Sequence, residues 1–391
     1  MSSPLLHNIF APGLAYSGFA PFGAGHWITD NEAHLLGFTA NQIIISGEMP
    51  IICAAGAASE ASIDLISSVG LHAPEQIFTF YDAHDYLALL NKMVEREMRI
   101  ATQHVHPLNI LSAENCLVHP NTLSYLNDKA NLGNLVPLES TPQRRVLHLS
   151  EPILDCLETS FPCVLKVASL QSTGGGSQDI YICHNMDELT HARTVLHNSE
   201  RLVLESWLPA ERFLCLNYTV DKNAVVRYIG CTEIICDSKG AYQGNWLGTS
   251  VVPSKKCIAL GEIIAKQGAE KGYRGYLGID IAELPNDTVA AFDLNFRTCG
   301  STSAIIVFNS TKEASGASTA KLRSWSYKGS FRSFIDSAHL AKRLGLIVPL
   351  ASFDPQTHGF NQPAKISTLI LGNTRKEVLQ HEIELARMGW Y

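Results

Sequence analysis

Asp280, Asp293, Asn295 and Arg297 are the residues of this chain best placed to do chemistry, because their spacing gathers them on one surface. The segment 278–302 begins GIDIAELPNDTVAAFDLNFR. Alternating runs, Ile279–Leu284 and Val289–Arg297, flank Pro285-Asn286-Asp287-Thr288, which predicts a β-hairpin. Symmetric closure of the turn sets Asp280 opposite Asp293. Side chains two apart share a face, so Asn295 and Arg297 project with Asp293. The reverse face would carry Ile279, Ile281, Phe292, Leu294 and Phe296. Two carboxylates beside an amide suit hard oxygen coordination of a divalent cation, with phosphate oxygens completing the shell. A solvated polar face with a single cross-strand Asp–Arg pair satisfies the same pattern.

Upstream, PCVLKVASLQSTGGGSQDIYI places Lys166 inside an apolar strand, followed by the loop Gly174-Gly175-Gly176-Ser177. A lysine so placed must snorkel or meet an anion. Glycines that tolerate positive φ expose N–H groups able to wrap phosphate. A mobile hairpin tip is the simpler account of the glycines. The segment is neither a Walker A loop nor a Rossmann fingerprint, since GxxxxGK[ST] is absent and a strand follows. LVLESWLPAER then ends a strand at Glu205 and turns through Ser206, Trp207 and Leu208. Such a crossing offers backbone groups to an adenine edge, with Glu205 accepting from its amine and Glu211 from ribose hydroxyls. An ordinary linker with solvated acids fits equally.

These segments need a scaffold of strands and helices. Apolar runs at Gln42–Ser46 and Pro50–Ala54, with a helical pattern over Tyr86–Ile100, indicate an α/β amino-terminal region. A short helix carrying Asn127, Asp128 and Lys129 precedes strands at Pro162–Ala168, Asp179–Cys183, Arg201–Trp207, Leu214–Val220 and Val225–Cys231. Helices are expected from Asp187 and over Cys257–Lys271. The tail shows a Ser/Lys/Gly-rich patch at 311–330, a helix near Ile335–Leu344 and a strand–helix pair at 366–388. The loop GAYQGNWLG (240–248) supplies Asn245 and Trp246; with Glu233, Ser301 and Thr302 these are candidate substrate-lining residues. Glu233 as a surface acid and Trp246 as a packing aromatic are equally good readings.

Composition limits the partners. A chain of 391 residues exceeds a single growing core, so several domains are expected. Net charge of −7 disfavours a broad nucleic-acid surface. Ten cysteines with no CxxC pair read as reduced thiols in a cytoplasmic protein. Neither a secretory signal nor a membrane-spanning apolar run is evident.

The order NDK at 127–129, Lys166, GGGS at 174–177, ESW at 205–207 and GID…DLNFR at 278–297 resembles the ATP-grasp superfamily over residues 122–305. The resemblance implies an α/β (α+β) ATP-grasp fold behind an α/β amino-terminal domain. Its units would be residues 1–121, a lid half at 122–205, a central half at 206–310 and a carboxy-terminal extension at 311–391. It implies Mg²⁺ on Asp280, Asp293 and Asn295, and ATP phosphates on Lys129, Lys166 and the loop Gly174–Ser177. Adenine would lie near Glu205, Ser206, Trp207 and Leu208, and ribose near Glu211. Arg297 and Lys166 would steady the transferred phosphoryl group or a substrate carboxylate. The implied activity is ATP-dependent amide formation between a small-molecule carboxylate and an amine through an acyl phosphate, with a homodimer as one assembly. A small-molecule kinase and a non-catalytic nucleotide binder share most of the pattern. Two positions depart from relatives. Asp293 stands where the second metal carboxylate is usually Glu, and Gly278 where D-alanine–D-alanine ligase has an arginine.

Overall fold

The computed structural model describes residues 4–20, 27, 31–71, 74–151, 160–171, 179–237 and 242–391. The loop Gly174–Ser177 lies outside them.

Three sheets organise the chain. A parallel four-stranded sheet, in spatial order Ile77–Phe80, Ile51–Ala54, Leu14–Ser17 and Arg99–Thr102, forms the amino-terminal region. Its two central strands, Leu14–Ser17 and Ile51–Ala54, are short and buried on both faces, as parallel strands covered by helices are. Of the two apolar runs noted above, Ile51–Ala54 is a strand, whereas Thr39–Ile45 is a 3₁₀ helix. The expected Tyr86–Ile100 helix runs instead over Ala83–Glu95. Glu97 has φ of 60°, and this left-handed residue turns the chain so that Met98 and Ile100 feed the edge strand Arg99–Thr102.

A second sheet is antiparallel, in the order Arg144–His148, Arg201–Ser206, Cys163–Ala168 and Ile180–Cys183. It packs the helix Met186–Val195 over a small core of its own that includes Leu147, Leu165, Val167, Leu189 and Leu204.

The third sheet has eight strands, in the order Thr288–Asn295, Gly275–Leu284, Arg212–Val220, Val226–Cys236, Tyr242–Gly248, Thr319–Ser326, Lys365–Gly372 and Ile347–Phe353. The carboxy-terminal strands thus extend the sheet that carries the hairpin. Tyr242–Gly248, read from sequence as a loop, is the strand that joins the two halves. The outermost strand bears Pro349, which an edge tolerates because a ladder N–H is dispensable there. Helices Lys255–Glu270, Phe331–Arg343 and Arg375–Arg387 cover one face. The helix Gly300–Ser315 covers the other, where Ile305 and Phe308 enter a core shared with Ile43, Ile52 and Leu350. The amino-terminal region and the eight-stranded sheet are therefore welded through one hydrophobic core. Among the described residues, no helix is long and apolar enough to cross a membrane.

Candidate functional site

The hairpin delivers Asp280 opposite Asp293, with Gly278 opposite Asn295. Two irregularities produce that register. The turn is closed by Leu284 and Thr288 around three residues, with Asn286 and Asp287 at φ of 62° and 58°. This is one residue shorter than symmetric closure requires. A bulge between Asp280 and Ile281, where Phe292 is the unpaired residue, restores the offset. The bulge also corrects one expectation: Phe292 does not join the apolar back of the hairpin, unlike the buried Ile279, Ile281, Leu294 and Phe296. Its ring packs edge-on against Phe213, and its carbonyl accepts from Lys166 Nζ at 2.7 Å.

Asp293, Asn295 and Arg297 form a chain on the site face. Asn295 Nδ2 donates to Asp293 Oδ2 at 3.3 Å and Arg297 Nη2 donates to Asn295 Oδ1 at 2.6 Å. Asn127, Asp128 and Lys129 each have a separate task. Asn127 Oδ1 accepts from the backbone N–H of Phe296 at 2.9 Å, tying the segment to the metal strand. Asp128 caps the following 3₁₀ turn and pairs with Arg201 at 2.7 Å. Lys129 Nζ lies 3.2 Å from Asp293 and 3.4 Å from Asp179.

Charge decides what can bind. Burial disfavours the ammonium of Lys129, yet Asp293 and Asp179 outweigh it and hold its pKa above the ordinary lysine value. Burial likewise opposes the Asp293 carboxylate, while Lys129, Lys166 and Arg297 hold its pKa low. Asp280 has no ion pair among the described residues. Burial first, then the facing Asp293, pushes its pKa up to about 7. A half-buried carboxylate pair with one member outside any ion pair is relieved by a cation of two charges, and Asn295 adds a neutral oxygen. The donor set fits Mg²⁺.

Across the cleft, Lys166 Nζ reaches Glu205 at 2.5 Å, and Arg144 lies 3.4 Å from the same carboxylate. Glu205 is 2 % exposed. Its carboxylate is thus engaged by two cations within the smaller sheet. The hinge follows directly, with Ser206 N–H on Gln143 O at 2.9 Å and Trp207 N–H on Pro162 O at 3.3 Å. Trp207 stands partly exposed against Phe213, Leu208 is half-buried, and Glu211 is exposed with its N–H on the Glu283 carbonyl at 2.8 Å.

Of the substrate candidates, Asn245, Ser301 and Thr302 share the site face. Asp293, Asp280, Cys215 and Thr232 form one cross-strand row, and Asn245 Nδ2 donates to Thr232 Oγ1 at 2.8 Å. In the next row, Asn217 holds Ser301 Oγ at 3.1 Å and Thr302 Oγ1 at 2.7 Å. Glu233 does not join them. It pairs across with Trp246 on the opposite, helix-covered face and is bound by Arg375 at 2.6 Å. Gly278 explains its own departure from relatives: a Cβ there would meet Cys299 Sγ at 2.6 Å and Cys215 Sγ at 3.3 Å, so no arginine fits.

Residues missed from sequence are Arg144, Asp179, Asn217 and Tyr242. The Tyr242 hydroxyl donates to Asn245 Oδ1. Arg144 was visible as a charge opening the run RRVLH, and Asp179 as the second residue after the glycine loop. The other two carry no local signal.

A sequence model described as L-aspartate–L-methionine ligase, ATP grasp, matches residues 142–295, and one described as the N-terminal domain of the same ligase matches residues 5–124. The fold is similar to an ADP complex of N5-carboxyaminoimidazole ribonucleotide synthetase, at 11% identity and TM-score 0.61, covering 99% of this chain and 98% of that one. The Thermus thermophilus enzyme of that name gives 12% identity and TM-score 0.60 over 96% and 98% of the two chains. Biotin carboxylase from Campylobacter jejuni gives 12% and 0.58 over 91% and 89%. With the metal-fitting hairpin, the lysines facing it and both matches to one ligase family, the chain belongs to the ATP-grasp superfamily and is an ATP-dependent carboxylate–amine ligase acting on small molecules.

Proposed function

We propose that this ligase joins L-aspartate to L-methionine through an amide bond. The reading takes its substrates from the family description matched by both the amino-terminal and the ATP-grasp segments. The observation that carries its chemistry is the Asp280–Asp293 pair, with Asn295 beside it and Lys129, Lys166 and Arg297 converging on it.

The γ-phosphoryl group of ATP passes to a carboxylate oxygen of the donor amino acid, leaving ADP. The amine of the acceptor then attacks the acyl carbon, a proton leaves the nitrogen, and phosphate departs with the acyl oxygen. No side-chain nucleophile is needed, since phosphoryl transfer runs on position and charge. Asp280, Asp293 and Asn295 would hold Mg²⁺, whose chemistry there would be to neutralise phosphate charge. Lys129 and Lys166 exchange their present carboxylate and carbonyl partners for the α- and β-phosphates. The loop Gly174–Ser177, outside the described residues, is assigned to the β- and γ-phosphates. Ser206, Trp207 and Leu208 border the adenine, with Glu205 setting Lys166 beneath it and Glu211 taking the ribose. Arg297 steadies the transferred group or the donor carboxylate. Asn245, Ser301 and Thr302 lie on the amino-acid side of the same floor.

We assign residues 1–121 to a substrate-facing domain, 122–205 to the lid, 206–310 to the catalytic floor and 311–391 to its extension. A cytoplasmic homodimer is the form we propose. The deciding assay combines the protein with Mg²⁺, ATP, L-aspartate and L-methionine, with and without hydroxylamine. ADP, phosphate and a dipeptide of the summed mass less water are expected, with a hydroxamate when hydroxylamine replaces the amine. A phosphorylated amino acid that persists, with no dipeptide, would replace the ligase reading by a kinase; turnover only with other amino acids would replace the substrates.

A further inference from the structure

A cavity of about 110 Å³ lies between the helix Glu32–Phe38 of the amino-terminal region and the far edge of the eight-stranded sheet. Lys365 begins the seventh strand, whereas Asp280 lies on the second. Five strand spacings put the two roughly 24 Å apart along the sheet. The cavity is therefore separate from the ligase site.

Among the described residues its lining is basic with no acid. Lys365 and His34 face it from opposite walls, together with Asn41, Ser324 and Ser367, while Phe38 and Phe353 line its apolar part. Lys365 is half-buried, and no carboxylate pairs with it among the described residues; burial alone depresses its pKa. His34 is held near 4 by burial and then by Lys365. The Ser324 and Ser367 hydroxyls lie 2.9 Å from each other and can each turn toward a guest. A half-buried ammonium without a counter-charge is disfavoured, and an anion that also takes hydrogen bonds relieves it. The ammonium, the amide and the two hydroxyls offer donors, and the phenylalanine rings offer an apolar seat. A cavity of about 150 Å³ takes a benzene ring, so this one suits a guest of only several heavy atoms.

We propose that this cavity is a binding site for a small carboxylate anion, of a size between acetate and a single amino acid. The carboxylate sits on Lys365 and the serine hydroxyls, and the guest bridges the amino-terminal helix to the carboxy-terminal strands. Phosphate shares the anionic chemistry and is the comparison probe. The site does not depend on which substrates the ligase joins.

Calorimetric titration of the full chain with sodium acetate, L-aspartate and inorganic phosphate, without ATP or Mg²⁺, tests it. One carboxylate should saturate at one per chain in the wild type and in Asp280→Asn. Its affinity should fall by about tenfold or more in Lys365→Met and recover in Lys365→Arg. The His34 ring resonances should shift along the same binding curve, and Lys365→Met should keep basal ligase turnover. Binding lost in Asp280→Asn but kept in Lys365→Met would overturn the proposal, since the ligand would then be in the ligase site. Saturation by phosphate alone, or by none of the three, would overturn it as well.

Discussion

The two sheets that flank the site, the eight-stranded floor and the four-stranded sheet assigned above as the lid, rest on cores of very different size. The floor presents Asp280 and Asp293 from an eight-stranded sheet packed on both faces, one of them shared with the amino-terminal region. The lid presents Lys166 and Arg144 from a four-stranded sheet with a small core of its own. A small separate core opens at lower cost than a large shared one, so the proposed lid is the half expected to move and the floor the half expected to hold geometry. The cations are meanwhile parked on acids, Lys129 on Asp293 and Lys166 on Glu205. Under the proposed assignment, MgATP exchanges these contacts rather than filling an empty site.

The largest effects should come from the floor. Asp293→Asn and Asn295→Ala should each lower kcat by about 10³ or more, as the metal and transferred phosphoryl group lose their anchor. Circular dichroism should stay native; an unaffected Asn295→Ala enzyme would sink the metal assignment. Arg297→Ala should cost about 10²-fold in kcat, with a smaller change in ATP affinity. An equal loss in both would make Arg297 a binding residue only.

A lid substitution should show the reverse balance, with stability moving more than chemistry. Glu205→Gln removes the carboxylate that is ion-paired with both Lys166 and Arg144. Breaking a buried pair by removing one partner costs about 3–5 kcal/mol. Hydrogen exchange should report that loss in residues 144–206 while the floor keeps its protection. Uniform loss across the chain would mean that lid and floor unfold together, and the contrast in their cores would carry no mechanical meaning.

The same division marks what was legible in the sequence. The floor hairpin was readable because alternation and turn chemistry are local. The predicted Asp280–Asp293 register holds, although it arises from a short turn and a bulge that cancel. Phe292 shows the cost, since the bulge that saves the register moves it away from the apolar back. Thr232 and Glu233 are adjacent polar residues, and nothing local says which faces the metal; the pairing of Glu233 with Trp246 decides it. The strand Thr319–Ser326 stayed hidden because Lys321 and Arg323, polar in sequence, bind Glu382 of the last helix. Such contacts between distant segments leave no trace in a window of ten residues.

The smallest effect separates the two facing aspartates by their pH slopes in Mg²⁺-free protein. Asp293 is held below its ordinary value, so its contribution is present above the unfolded pKa and is lost as pH falls through the folded one. Asp280 is the opposite case. Its pKa rises from 3.8 to about 7 on folding, so the folded chain binds more protons across that window and stability declines as pH rises through it. Each unit of the window costs at most about 1.4 kcal/mol, less where solvent reaches the pair. Denaturant midpoints between pH 5 and 8 should therefore fall in the wild type in EDTA and flatten in Asp280→Asn. They should also flatten in the wild type with saturating Mg²⁺, because the cation takes the place of the proton. The substituted protein should be about 1 kcal/mol more stable at pH 8 while inactive, the sign expected where a site is strained for function. An identical slope in both proteins would mean that Asp280 is paired by a cation of the chain itself, and the floor would lose its reason to bind a metal.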